Sequence, residues 1–150
     1  MKRMFTALTA LAVGSILTVA IAGQAGAAEQ PDPKKTYIVN CQGGLDYKPK
    51  QITLACADAG VYFSDITWQK WTMNGARGIG TLSVNTCEPT CSAGNVETYS
   101  GVRLRLAGAA SGPGMGTFVN TFTSLTGVFQ GQGPAMTTSG TWALGNAIKE

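Results

Sequence analysis

The chain contains no histidine, and only 13% of its 150 residues are charged. Without histidine there is no Ser-His-Asp triad, no Cys-His nucleophile and no histidine metal ligand. Eleven basic and eight acidic residues leave only a small excess of positive charge. We therefore expect no nucleic-acid partner, because a protein that neutralises phosphates carries a strongly basic surface.

Only one long apolar run is present, and it lies at the N-terminus. Residues 5–22 contain no charge, follow Lys2 and Arg3, and are followed by Ala25-Gly26-Ala27. A positive start, an apolar centre and small residues at the cleavage point are the layout of a secretory signal peptide. We predict that residues 1–27 are a signal peptide, cleaved after Ala27 or Ala28, and that the protein is secreted.

A membrane anchor is the alternative for the same run. At 18 residues, the run is at the short limit for crossing a bilayer, and no basic stop-transfer cluster follows Ala28. We therefore expect cleavage and no stable membrane anchor afterwards. Cleavage after Ala27 leaves 123 residues with nine basic and eight acidic side chains, so the mature chain is close to neutral.

Cysteine is scarce, and its four copies, Cys41, Cys56, Cys87 and Cys91, all follow the signal segment. An even number of cysteines in an oxidising compartment predicts two disulfides. Structural zinc is the alternative, but the spacings do not match the paired two-residue gaps of zinc ribbons. We therefore predict disulfides and no metal site.

Strand alternation favours one of the three possible disulfide pairings. Cys41 has the parity of Tyr37 in one β-like run, and Cys56 has the parity of Leu54 in the next. Both cysteines should then lie on the apolar faces of neighbouring strands, within reach of each other. The other two cysteines enclose only three residues, which suits a local bridge. We predict Cys41–Cys56 and Cys87–Cys91.

Short runs of alternating apolar and polar residues recur after residue 35. The clearest is 102–106, in which three aliphatic residues alternate with Arg103 and Arg105. Turn residues such as Asp58-Ala59-Gly60 and Asn74-Gly75 separate the runs, and no ten-residue stretch of the mature chain has helical periodicity. The predicted strands are 37–41, 51–56, 62–71, 80–85, 102–106, 117–123, 125–129 and 141–144.

These runs predict an all-β protein: a small antiparallel β-sandwich, Ig-like or barrel-like, stapled by disulfides. The mature chain has the length of one domain. We expect residues 28–35 to be a flexible leader and residues 36–150 to form the domain. Glycine-rich composition indicates loops at 107–116 and 130–140.

One segment carries a recognisable order of motifs. The run ITLACADAG at residues 52–60 is followed by Trp68 and Trp71, by two glycines, and by Cys-Glu-Pro-Thr-Cys at residues 87–91. In this order the motifs resemble an uncharacterised family of small secreted actinobacterial proteins. The resemblance covers about half of the mature chain. It implies export and a shared fold, and it implies no activity.

Carboxylates are the catalytic side chains that remain. Asp58 and Asp65 are a candidate pair for a hydrolase, because a glycosidase needs two carboxyl groups a few ångströms apart. The alternative is that Asp58 caps the turn at Ala59-Gly60 by accepting a backbone hydrogen bond. We favour the turn, and predict no enzymatic activity and no cofactor.

Aromatic residues supply candidates for binding. Trp68 and Trp71 are three positions apart, so a regular strand places them on opposite faces. With Trp68 in the core, an exposed Trp71 near Tyr62 or Trp142 would stack on a sugar ring or anchor a protein. The alternative is a bulge that buries both tryptophans in the core. Tyr62, Trp71 and Trp142 are the candidate binding residues.

Three further features have functional and structural interpretations. Arg103 and Arg105 lie outward on one strand, either as contacts for an acidic partner or as a solvated face. Residues 112–116 resemble a phosphate-binding loop but lack its lysine and its strand–helix setting, so we expect a connector. Glu88-Pro89-Thr90 would be a preorganised protease-inhibitor loop, although three residues are short for a protease cleft.

The sequence as a whole predicts a secreted, non-catalytic domain. The expected partner is an extracellular or cell-envelope glycan or protein. Export, two disulfides and the missing catalytic residue types support this interpretation. A carboxylate-dependent hydrolase is the first alternative, and a protease inhibitor is the second.

Overall fold

The computed structural model describes residues 30–114, 117–134 and 137–145. Within these ranges the chain is built from β-strands and contains no α-helix. The predicted signal peptide, residues 1–27, and its cleavage point at Ala27 or Ala28 lie outside them. Among the described residues, no helix has the length and hydropathy needed to cross a membrane.

The eight strands form a single sheet. They are β1 (Thr36–Val39), β2 (Leu45–Asp46), β3 (Ile52–Thr53), β4 (Val61–Thr72), β5 (Gly75–Asn85), β6 (Val96–Gly114), β7 (Thr117–Val128) and β8 (Ser139–Ala143). Their order is β2-β1-β7-β6-β5-β4-β3, and β8 pairs with the second half of β7. All pairs are antiparallel except β1 and β7.

The sheet curls into a half-barrel. The all-β prediction is therefore confirmed. Of the predicted architecture, Ig-like or barrel-like, the structure shows a curled half-barrel that is not clearly a sandwich. The parallel β1–β7 pair also departs from the antiparallel arrangement that we expected. A parallel pair needs a long connection, which the five strands between β1 and β7 in the chain supply.

Alternation along β6 produces the inner and outer faces of the sheet. Val102, Leu104 and Leu106 are at most 2% exposed, while Arg103 and Arg105 are exposed. The aliphatic side chains join the buried cluster with residues of β4, β5 and β7. Burial of a side chain of this size contributes about 1.5–3 kcal/mol to folding.

The curl brings β1 against the end of β4, although three strands separate them in the sheet. The indole N–H of Trp71 donates to the carbonyl oxygen of Thr36 at 2.9 Å. In return, the Thr36 hydroxyl donates to the carbonyl oxygen of Met73, also at 2.9 Å. The Trp71 ring packs edge-on against Phe122 of β7, with 5.4 Å between centroids. These contacts hold the half-barrel closed at this end.

Both predicted disulfides are present, Cys41–Cys56 and Cys87–Cys91. The geometric reason given for the first bridge was wrong, because β1 and β3 are not neighbouring strands. Cys41 follows β1 and Cys56 follows β3, near opposite edges of the sheet. Curling of the sheet brings these edges together, to a Cα–Cα distance of 5.3 Å.

The glycine-rich segment 107–116 differs from the predicted loop. Its described part, residues 107–114, is the second half of β6 and pairs with β7 from Ala107 opposite Ser124 to Gly114 opposite Thr117. Small residues carry no hydrophobic alternation, so the strand is specified by its partner rather than by its own sequence. In the second predicted loop, 130–140, residues 139 and 140 belong to β8.

Candidate functional site

A cleft of about 510 Å³ opens beside Tyr47, between the segment before β1 and the turn after β2. We call it the Tyr47 cleft. Its lining combines aromatic rings with carboxylate, amide and ammonium groups, from Asp32, Lys35, Tyr37, Asn40, Asp46 and Tyr47. Clefts with an apolar surface and a few convergent polar groups are typical of ligand sites.

The Tyr47 ring lies at the centre of an aromatic row and is 40% exposed. Its centroid is 5.9 Å from that of Tyr37 and 5.5 Å from that of Trp71. The ammonium groups of Lys35 and Lys48 lie 5.1 Å and 5.3 Å from the Tyr47 centroid, at cation–π distance. The rings of Tyr37 and Trp71 orient the Tyr47 ring from two sides, and Lys35 also lies 3.8 Å from the Asp32 carboxylate.

The chain segment before β1 forms one wall of the Tyr47 cleft. Pro31 is buried, and the N–H of Asp32 donates to the Tyr37 hydroxyl at 2.8 Å. The Asp32 carboxylate accepts the N–H of Lys34 at 2.9 Å and lies 3.8 Å from the Lys35 ammonium. Residues 30–35, the described part of the predicted leader, thus lie against the domain and contribute polar groups to the cleft.

Asn40 organises the opposite wall. Its side-chain oxygen accepts the N–H groups of Gln42 and Gly44 at 3.1 Å and 2.8 Å, which holds the turn between β1 and β2. Its amide nitrogen donates to both carboxylate oxygens of Asp46 at 3.3 Å. A carboxylate has about four acceptor positions, so Asp46 retains capacity to accept hydrogen bonds from a ligand.

A smaller cleft of about 180 Å³ shares Lys35 and Tyr47 with the first. Trp71 and Met73 line it, and Met73 is 47% exposed. Tyr47 therefore lies between two clefts, each of which has both polar and apolar walls. A ligand with both hydroxyl groups and apolar C–H surface matches this arrangement.

Trp68 and Trp71 do not lie on opposite faces, because the pairing of β4 with β5 shifts register between Trp68 and Lys70. Both tryptophans pack against the core, with ring centroids 4.8 Å apart. The indole N–H of Trp68 donates to the carbonyl oxygen of Pro49 at 2.7 Å. This arrangement matches the alternative given for the two tryptophans in the sequence analysis, in which a bulge in the strand places both rings against the core.

The three candidate binding residues are not brought together as one exposed patch. Trp71 is half-buried and lines the smaller cleft. Trp142 is half-buried and packs edge-on against Phe63, with 5.4 Å between centroids. Tyr62 is half-buried on β4, between its strand partners Thr53 and Ser83. Neither Trp142 nor Tyr62 lines either cleft at Tyr47.

Asp58 and Asp65 do not form a paired site in any of the clefts described here. Asp58 accepts the N–H of Gly60 at 3.0 Å, the turn-capping bond that was the alternative interpretation. Asp65 lies at an irregularity of β4 and accepts the hydroxyl of Ser64 at 3.1 Å. Both carboxylates are exposed, and neither lines the Tyr47 cleft or its smaller neighbour.

Asp58 does lie close to the second disulfide. Its carboxylate and the sulfur atoms of Cys87 and Cys91 are all within 4.8 Å of one another. Because the two sulfur atoms are bonded to each other, they are not thiolates and do not supply metal ligands in this state. The enclosed residues Glu88, Pro89 and Thr90, the candidate inhibitor loop, are exposed.

Another cleft, of about 360 Å³, lies beside the Cys41–Cys56 bridge between the two edges of the sheet. Ile38 and Ile52 form its apolar side, and Gln42 and Gln51 are among its polar groups. It contains no aromatic ring and no cationic side chain. The Tyr47 cleft therefore has the richer chemistry for recognising a ligand.

Tyr47 was missed in the sequence because it lies outside the alternating runs. It follows Asp46 and precedes Lys48, and no periodic pattern marks it as buried or exposed. The signal that was available is an aromatic residue flanked by opposite charges just after a turn. Tyr47 becomes a candidate binding residue only through its ring contacts with Tyr37 and Trp71, which the curl of the sheet brings next to it.

Comparisons with known proteins add no relative. A scan against protein-family models and searches of curated proteins and of solved structures found no match to this chain. The resemblance of the segment around residues 52–91 to small secreted actinobacterial proteins stays a prediction from the sequence pattern.

Proposed function

We propose that this protein is a secreted, non-catalytic binding domain whose Tyr47 cleft holds a glycan of the cell envelope. The observation that carries the proposal is the combination of an exposed, oriented ring with two carboxylates, an amide and an ammonium group in one cleft of about 510 Å³. Two disulfides in a small domain support a place in an oxidising compartment.

Sugars present two kinds of surface, and the Tyr47 cleft offers a counterpart to each. The C–H face of a pyranose is apolar and packs on an aromatic ring, which Tyr47 supplies. Hydroxyl groups donate to carboxylates and accept from ammonium and amide groups. Asp32 and Asp46 would accept from the sugar, while Lys35 would donate to it.

The proposal is tested with the oxidised protein beginning at Ala28 and purified, neutral cell-wall polysaccharide, by calorimetry. We expect saturable binding that Tyr47→Ala weakens roughly tenfold or more, the scale of a central aromatic contact. Tyr47→Phe should retain most of the binding, because the ring remains. Asp46→Asn should also weaken binding, and it should lower the stability of the protein less than Tyr47→Ala does.

Tyr62→Ala is the matched control, since it removes a half-buried tyrosine of β4 that lies outside both clefts. We expect this variant to bind as the parent does. Equal losses in Tyr47→Ala and Tyr62→Ala, or no binding of the parent to any envelope polysaccharide, would overturn the proposal. Trp71→Ala is unsuitable as a test because Trp71 also holds the half-barrel closed.

A further inference from the structure

Three cationic side chains lie in one row across the outer face of the sheet. Lys70 of β4 is directly opposite Arg77 of β5, and Arg77 is directly opposite Arg105 of β6. All three are exposed, and together they line a cleft of about 220 Å³. We call these residues the cationic row. With strands about 4.8 Å apart, the row places three positive charges along about 10 Å.

The cationic row is not neutralised by the described part of the chain. In the described part of the chain, the one ion pair joins Lys35 to Asp32. No described carboxylate lies within 4.0 Å of the ammonium or guanidinium groups of the cationic row. Like charges directly opposite each other on neighbouring strands destabilise a sheet. Arg103, two positions before Arg105 on the same face, adds a further positive charge.

Polar hydroxyl groups extend the cationic row over two more strands. Arg105 is opposite Thr126 of β7, which is opposite Thr141 of β8. The two threonine hydroxyls are 3.1 Å apart. Five strands therefore present a line of three cations and two hydroxyls, roughly 19 Å long. Such a line matches an extended chain that carries negative charges and hydroxyl groups.

We infer that the cationic row binds a linear acidic polysaccharide, with its negatively charged groups on Lys70, Arg77 and Arg105. Guanidinium groups favour this role because they contact two oxygens of one acidic group at once. Single-stranded nucleic acid also carries repeated charges, but its binding sites add aromatic rings on which bases stack. The neighbours of the row on the outer face are Thr67, Ile79, Thr126 and Val128, which offer no such ring.

This site is separate from the Tyr47 cleft and does not depend on it. Thr72, at the end of β4, lines both the cationic cleft and the smaller cleft beside Tyr47. The two surfaces therefore meet at Thr72, while the charged side chains of the one and the aromatic side chains of the other belong to different residues. A failure of neutral glycan binding at Tyr47 would leave the binding of acidic polysaccharide unaffected.

The inference is tested with heparin as the acidic polysaccharide and dextran as the neutral one. We expect the protein beginning at Ala28 to bind heparin at low salt, and we expect Arg77→Gln with Arg105→Gln to leave its affinity for dextran unchanged. Arg77→Gln together with Arg105→Gln should weaken heparin binding at least about tenfold. The slope of log Kd against the logarithm of the salt concentration should fall by about two, since two positive charges are removed. Tyr47→Ala should leave heparin binding unchanged.

Arg77→Gln alone is compared with Lys50→Gln, which removes one exposed positive charge outside both sites. Arg77→Gln should weaken binding while the melting temperature at low salt stays the same or rises, because repulsion within the row is relieved. Equal weakening by Lys50→Gln, or binding that salt does not affect, would overturn the inference. Tighter binding of single-stranded DNA of matched length would assign the row to nucleic acid instead.

Discussion

Cys41 and Cys56 bond to each other across the two ends of the curled sheet. In the sheet order, four strands lie between β1, which precedes Cys41, and β3, which precedes Cys56. The Cα atoms of the two cysteines are nevertheless 5.3 Å apart. The bond therefore links the sheet edges directly and constrains the curvature that forms the clefts nearby.

The first prediction compares the two disulfides. Cys41→Ala with Cys56→Ala removes a bridge that spans 15 residues and should lower the free energy of unfolding by about 3 kcal/mol. Cys87→Ala with Cys91→Ala removes a bridge that spans 4 residues and should cost less, about 2 kcal/mol. Urea unfolding of both double variants measures the difference. A larger fall in the free energy of unfolding on removal of Cys87–Cys91 would contradict the conclusion that Cys41–Cys56 is the bridge that constrains the curled sheet.

The second prediction concerns a buried hydroxyl on β7. The side-chain oxygen of Thr121 is buried and has no hydrogen-bond partner among the described residues. Thr121→Val keeps the shape and removes the unpaired polar atom, so we expect stability to rise by about 1 kcal/mol.

Thr36→Val is the matched control for that substitution. Thr36 is equally buried on β1, but its hydroxyl donates to the carbonyl oxygen of Met73 at 2.9 Å. Removing it leaves that carbonyl without this donor, so stability should fall by about 1–2 kcal/mol. Chemical denaturation of both variants should give opposite signs. A fall in stability in both variants would show that the Thr121 hydroxyl has a partner in solution.

The third prediction is a pH dependence at Tyr99. Its hydroxyl donates to the Glu97 carboxylate at 2.5 Å, and this hydrogen bond, with burial and the negative charge of Glu97, raises the pKa of Tyr99 above 10.0. The protonated phenol is therefore favoured in the folded state. Its contribution to stability is present below the unfolded pKa, near 10, and is lost as the pH rises through the folded pKa.

Absorbance titration of tyrosinate checks that prediction, with Tyr99→Phe used to identify the signal. Glu97→Gln should lower the pKa of Tyr99 towards its ordinary value, because the negative charge is removed. Glu88→Gln is the control, since Glu88 is an exposed carboxylate on a separate loop. An unchanged Tyr99 titration in Glu97→Gln would contradict the assigned cause.

The strand content and the Cys87–Cys91 bridge were predictable because they depend on neighbours in the sequence, whereas the Cys41–Cys56 bridge forms only through the curl of the sheet. In 102–106, strict alternation specifies which side chains face inward, and the structure buries those residues. Asp58 before Ala59-Gly60 likewise predicts the turn that it caps. Such patterns need only the two-residue period of a strand and the chemistry of a turn.

Register and curvature were decided by the tertiary structure. The bulge that brings Trp68 and Trp71 to one face appears only when β4 pairs with β5, and parity alone predicts the opposite. Residues 107–114 become a strand through pairing with β7, although they carry no strand pattern of their own. The parity of a strand is local, whereas an extra residue in a pair is defined only by its partner.

Both proposed sites depend on contacts between residues that are far apart in the chain. The sequence by itself determined an all-β chain with two disulfides, outward Arg103 and Arg105, and no histidine chemistry. The alignment of Lys70, Arg77 and Arg105 required the register of three strands. The environment of Tyr47 required the curl of the sheet, because contacts between residues far apart in the chain form only after strand pairing fixes their positions.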